Sequence, residues 1–170
     1  MQVDLSRIPV FAGLDEHERA KVAAIFSERS LAAGATVIRE EESGDEMYIL
    51  VQGKVQISKV MLLPGMSVPL LNMEVPRKVL ATLDHAKYPI FGEVALIDSD
   101  LRSATVLAVT DCDFLVTDRE RFFGLLGADA ALGVKLLLTL GRRMTATIRR
   151  NNSEVVKLTT ALALALRKSI

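Results

Sequence analysis

The chain changes its hydrophobic period twice. In the first thirty residues, Val22, Ile25 and Phe26 recur at the spacing of one helix face, and Asp15 stands three residues before Glu18, the spacing of a capping box. This predicts a helix over roughly 15–28. Beyond Gly34 the pattern becomes a series of short β-favouring runs: Thr36-Val37-Ile38, Met47-Tyr48-Ile49-Leu50-Val51, Val55-Gln56-Ile57, Val79 to Leu83, Ser103 to Ala108 and Asp113 to Thr117. Gly44-Asp45, Gly53 and Pro64-Gly65 separate them with turn chemistry. Many short strands at close spacing predict a mainly β domain with flanking helices, built as a small antiparallel roll of jelly-roll type. One face of such strands packs while the other stays wet.

The last third returns to a helical period. Leu137, Gly141, Met144, Ile148, Asn151, Val155, Leu158, Leu162 and Ala165 advance by alternating steps of four and three, a heptad seam kept through four repeats. A lone helix would leave this stripe in water, so the pattern predicts a partner helix and hence a homodimer through 137–165. Asn151 sits inside the seam, where a polar residue fixes register at some cost in stability. The alternative is that the stripe packs back on the chain's own roll. The expected division is a roll with its N-terminal helix over 1–130 and a long dimerisation helix over 131–170.

Composition narrows the chemistry. The 170 residues, half apolar and a quarter charged, fit one folded domain with an appended helix. Lys and Arg balance Asp and Glu at 21 each, but from Gly141 onward seven basic residues face one acid, a net +6 that leaves −6 for residues 1–140. Those basic residues are spread around a helix that also carries an apolar seam, which reads as a solvated face and argues against direct DNA binding. A single cysteine, Cys112, excludes an internal disulfide, and with only His17 and His85 beside it a metal site is not expected. The sequence has no secretory leader and no run of about 18 apolar residues, so the expected location is the cytoplasm, away from membranes. Without a Walker loop or a Ser-His-Asp arrangement, no enzyme and no resident cofactor are expected.

One constellation remains. Gly92, Glu93 and Arg102 lie within eleven residues, separated by a stretch able to form a helical turn and a loop. A glycine lets backbone approach a ligand closely, and amide N–H groups at a helix start favour negative charge. An arginine offers a planar, permanently charged fork to phosphate oxygens. A carboxylate such as Glu93 accepts a hydrogen bond from a sugar hydroxyl but repels phosphate, which puts it at the sugar end.

The order Phe91-Gly92-Glu93, Leu96-Ile97, then Arg102-Ser103-Ala104-Thr105-Val106 resembles the phosphate-binding cassette of cyclic-nucleotide-binding domains, as in bacterial catabolite activators and the regulatory subunits of cAMP-dependent protein kinase. Phe11-Ala12-Gly13-Leu14-Asp15, Gly34, Gly44-Asp45 and Tyr48 to Gly53 are similar to further parts of that family, so roughly 7–150 is covered. The resemblance implies a sensor of a cyclic mononucleotide, cAMP favoured over cGMP. It assigns Glu93 to the ribose 2′-hydroxyl and Arg102 to the cyclic phosphate, with the backbone of Gly92, Val94, Ala95, Ser103 and Ala104 completing the cradle. Ile57, Leu80 and Leu83 fall at apolar pocket wall, and Thr147 on the long helix at the adenine base. A module that kept the roll but lost its ligand, and the regulatory half of a transcription factor without its DNA-binding domain, are the alternatives. The chain departs from the family in a longer segment over 84–91, a long apolar hairpin over roughly 59–78, and an end at Ile170 where transcription factors of this group continue.

Overall fold

The computed structural model describes residues 3–61 and 76–167. It divides into two compact units, 1–128 and 129–170. Helix α1 (Glu16–Ala23) opens with the expected capping box: Asp15 accepts from the Glu18 amide at 2.8 Å, and the Glu18 carboxylate accepts from the Asp15 amide at 3.0 Å. It ends five residues earlier than 28, because the chain turns at Ala24 and enters strand β1 (Ser27–Leu31). The helical spacing of Ile25 and Phe26 is thus not helical structure. Phe26 packs edge-on against Phe11, with ring centroids 5.9 Å apart.

Strands β2 (Thr36–Ile38), β3 (Met47–Gln52), β4 (Lys54–Val60), β5 (Arg77–Asp84), β6 (Ile90–Phe91), β7 (Thr105–Ala108) and β8 (Cys112–Thr117) complete the roll. They form two four-stranded antiparallel sheets, ordered β1-β8-β3-β6 and β2-β7-β4-β5. Each sheet sends apolar side chains to a shared core. Tyr48, Leu50, Phe91, Phe114 and Val116 come from one, and Ile38, Val55, Val106 and Ala108 from the other. Burying such side chains is the main favourable term in folding.

The apolar 59–78 stretch lies mostly at 62–75, outside the described residues. The 84–91 segment forms a 3-10 turn, His85–Lys87, capped by Asp84, and then passes through Tyr88 in the left-handed region (φ 45°) into β6. Helices α2 (Glu93–Asp98) and α3 (Arg119–Ala128) belong to the same unit. Asp118 starts α3 by accepting from the Arg121 amide at 2.8 Å, the N-cap arrangement.

The second unit is helix α4 (Ala130–Arg167), 38 residues long. Asp129 caps it through the Leu132 amide at 3.1 Å. Ile148, Val155, Leu158 and Leu162 on its seam are all more than half exposed. Among the described residues no helix is long and apolar enough to cross a membrane.

Candidate anion-binding site

Arg102 is the most deeply buried charged side chain of the described residues, 6 % exposed. Its backbone is fixed by a reciprocal pair with the loop before β3: the Arg102 amide donates to Glu42 O at 3.0 Å, and the Glu41 amide donates to Arg102 O at 2.9 Å. Its guanidinium then reaches inward. Nη1 donates to two backbone carbonyls, Glu46 O at 2.8 Å and Gly92 O at 3.2 Å. Nε and Nη2 make no hydrogen bond to the described residues and lie beside Gly44, where an added Cβ would stand 2.8 Å from Nε and 2.9 Å from Nη2. This edge is the one that pairs with two oxygens of a phosphate or carboxylate. Burial pulls the Arg102 pKa below the ordinary guanidinium range, opposed by Tyr48, Glu46 and Asp45. An arginine keeps its charge at neutral pH regardless.

Gly92 is at the turn between β6 and α2, with φ 81°. A Cβ there would meet the Glu46 carbonyl at 2.7 Å, so glycine is required both by the conformation and by the approach. Glu93, half-buried, begins α2, followed by exposed Val94 and buried Ala95. The site residues on the 92–95 turn and Arg102 are therefore brought together, joined by the Gly92 to Arg102 hydrogen bond.

Ser103 and Ala104 follow Arg102 directly, and the Ser103 carbonyl accepts from Lys59 Nζ at 3.1 Å. Ile57 and Leu83 are partly buried and pack against the core. Leu80 is different: the β4–β5 register steps from Ile57↔Ala81 to Ser58↔Val79, which leaves Leu80 unpaired at a bulge and 53 % exposed. Thr147 is an exposed residue of α4. Thr139, Thr145 and Thr160 on that helix each donate to the carbonyl four residues earlier, whereas Thr147 has no hydrogen-bond partner among the described residues.

Several supporting residues were not foreseen from the sequence. Glu40, whose side chain is 7 % exposed, receives Arg77 Nη2 at 3.3 Å, Lys59 Nζ at 3.7 Å and the Val60 amide at 2.9 Å, while its own amide donates to Thr105 Oγ1. This ties the adjoining ends of β4 and β5 to the segment that follows Arg102. Arg119 donates from Nη1 to Leu96 O at 2.5 Å and Ile97 O at 2.9 Å, holding the end of α2. These charged side chains look like surface residues in a linear sequence, and only their partners reveal their role.

The double-sheet roll thus holds a buried arginine against a glycine turn, with the Nε and Nη2 edge of its guanidinium beside Gly44. No family model matches the chain. The cAMP-dependent protein kinase regulatory subunit of Aspergillus fumigatus is 32 % identical over 123 residues, 72 % of this chain and 26 % of that protein. The chain thus spans about a quarter of the length of the curated relatives it matches. Among solved structures, PKAR CBD2 bound to Sp-2Cl-cAMPS is 30 % identical, with a TM-score of 0.57 over 81 % of this chain and 86 % of that one. The N-terminal domain of a transcriptional regulator from Streptomyces coelicolor A3(2) is 28 % identical, with a TM-score of 0.68 over 86 % and 94 %. The chain belongs to the cyclic-nucleotide-binding domain family.

Proposed function

We propose that the chain is a non-catalytic cytoplasmic sensor of a cyclic purine mononucleotide, cAMP ahead of cGMP, working as a dimer through α4. The observation that carries this reading is the orientation of Arg102. Its Nη1 is committed to two carbonyls, while the Nε and Nη2 edge remains for phosphate oxygens beside Gly44. Amides of Val94, Ala95, Ser103 and Ala104 complete the cradle, and the Glu93 carboxylate accepts from the ribose 2′-hydroxyl. Ile57, Leu80 and Leu83 supply apolar wall. The exposed position of Leu80 supports its role, since a pocket wall must reach the ligand rather than the core.

The assignment of Thr147 to the adenine base rests on the family resemblance alone. Nucleotide binding shifts a helix pair between two arrangements only as far as its differential affinity for them allows.

Titration calorimetry with cAMP and cGMP tests this. The unsubstituted chain is expected to bind both, cAMP more tightly, and Arg102→Ala to weaken binding by about 2–5 kcal/mol, the range for removing one partner of a buried charge pair. Equal affinity before and after that substitution removes the basis of the reading. Binding of neither nucleotide favours a roll that serves as an interaction module.

A further inference from the structure

The two carbonyls that hold Arg102 come from separate parts of the roll. Glu46 precedes β3 and Gly92 follows β6. One side chain stands behind both. Tyr48 and Phe91 are opposite each other in the β3–β6 register, and their rings stack with centroids 5.5 Å apart and planes 4° from parallel. Phe114 closes the cluster edge-on to each ring. The ring of Tyr48 thereby fixes Phe91, whose next residue supplies the Gly92 carbonyl. Its hydroxyl fixes the other side: it donates to Glu46 Oε2 at 2.5 Å and accepts from Arg29 Nη1 at 2.9 Å. Arg29 reaches across from β1 and grips the same carboxylate in a fork, at 2.6 Å and 3.1 Å.

We infer that Tyr48, with Glu46 and Arg29, is a positioning residue for Arg102, setting the guanidinium for an anionic ligand through the Glu46 and Gly92 carbonyls. The inference rests on the reading of the site as a cyclic-nucleotide seat. A phenylalanine at 48 would fill the same space in the aromatic cluster, so packing alone does not account for the hydroxyl and its two charged partners. The phenol also stays protonated across the neutral range: burial first, then the hydrogen bond to Glu46, pushes its pKa up to about 12. It therefore acts as a fixed donor. Burial would raise the Glu46 pKa, but the hydrogen bonds from Arg29 and then Tyr48 outweigh it and hold the carboxyl below its ordinary value, so it remains an acceptor.

The test is a double-mutant cycle on nucleotide affinity, read by calorimetry with cAMP and cGMP as probes. Tyr48→Phe keeps the ring and removes the hydroxyl, and is expected to weaken binding about tenfold, the loss of one charge-assisted hydrogen bond. In the Arg102→Lys background, where Nη1 no longer brackets the two carbonyls, the same change is expected to cost less than about twofold. A merely structural tyrosine would lower the melting temperature and scale affinity by the same factor in both backgrounds, and that result overturns the inference. Unchanged affinity in Tyr48→Phe overturns it as well. Glu46→Gln, at a side chain 32 % exposed, gives the same readout if Tyr48→Phe fails to fold. Failure of the unsubstituted chain to bind either nucleotide overturns the nucleotide reading and this inference together, whereas binding with equal factors in the cycle removes only the inference.

Discussion

Arg102 is confined by two glycines for different reasons, and substitution separates them. At Gly92 the backbone is left-handed, φ 81°, and a Cβ would press on the Glu46 carbonyl oxygen at 2.7 Å. Neither backbone can yield easily, so Gly92→Ala is expected to destabilise the fold by about 1–3 kcal/mol. For a domain of this length, each kcal/mol lowers the melting temperature by about 2–4 °C, which differential scanning calorimetry reads directly. At Gly44 the φ is not in the left-handed region and the atoms met are the Nε and Nη2 of Arg102, side-chain atoms that can shift by a fraction of an ångström where backbone cannot. Gly44→Ala should therefore leave the melting temperature within about 2 °C of the parent, while nucleotide affinity falls, because the displaced edge is the one proposed to hold phosphate. A larger loss of stability at Gly44 than at Gly92 would contradict this account. Glu93 and Arg102 stand out as a pair in the sequence because a carboxylate and a guanidinium so close together are the side-chain chemistries proposed for the sugar and phosphate ends of a nucleotide. Glu46 and Tyr48 do not, since a carboxylate before a strand and an aromatic within it have many ordinary uses.

Among the elements, most of the foreseen strands carry apolar residues that meet the core, whereas β5 shows the β-favouring run Val79 to Leu83 although the strand is largely exposed. β3 and β8 are buried along most of their lengths, and β7 alternates. β1 was missed because its sequence, Ser-Glu-Arg-Ser-Leu, carries no alternation. It is a largely exposed strand at a sheet edge, held by its pairing with β8. β6 was missed because two residues give no period at all, and its pairing with β3 is what makes it a strand. The helix α4 was the clearest element, since a sustained heptad leaves little ambiguity. Its seam is exposed from Ile148 onward, and burying it against a second copy would remove several large apolar side chains from water. We therefore expect Leu158→Glu combined with Leu162→Glu to convert a dimer to a monomer in sedimentation velocity. A chain that is monomeric before the substitutions would show that α4 serves some other contact.

For the molecule as a whole, a ligand that binds the folded roll must stabilise it by mass action. Nucleotide at about 100 times its dissociation constant adds about 2.7 kcal/mol. At about 2–4 °C per kcal/mol this raises the melting temperature by roughly 5–11 °C. Arg102→Ala should abolish most of that shift at the same concentration, and a shift that survives it would place the ligand elsewhere. By itself the sequence determined the fold class and the long helix, because hydrophobic period and turn chemistry are local properties, and the order of residues from Phe91 to Val106 carried the family resemblance. Only the tertiary structure decided what surrounds Arg102. Glu46 and Gly92 are 46 residues apart, and their carbonyls converge on one guanidinium because β3 and β6 pair with Tyr48 opposite Phe91. No local pattern encodes that register. It goes with stacking Tyr48 on Phe91 in the core while Arg102 pairs the Glu46 and Gly92 carbonyls.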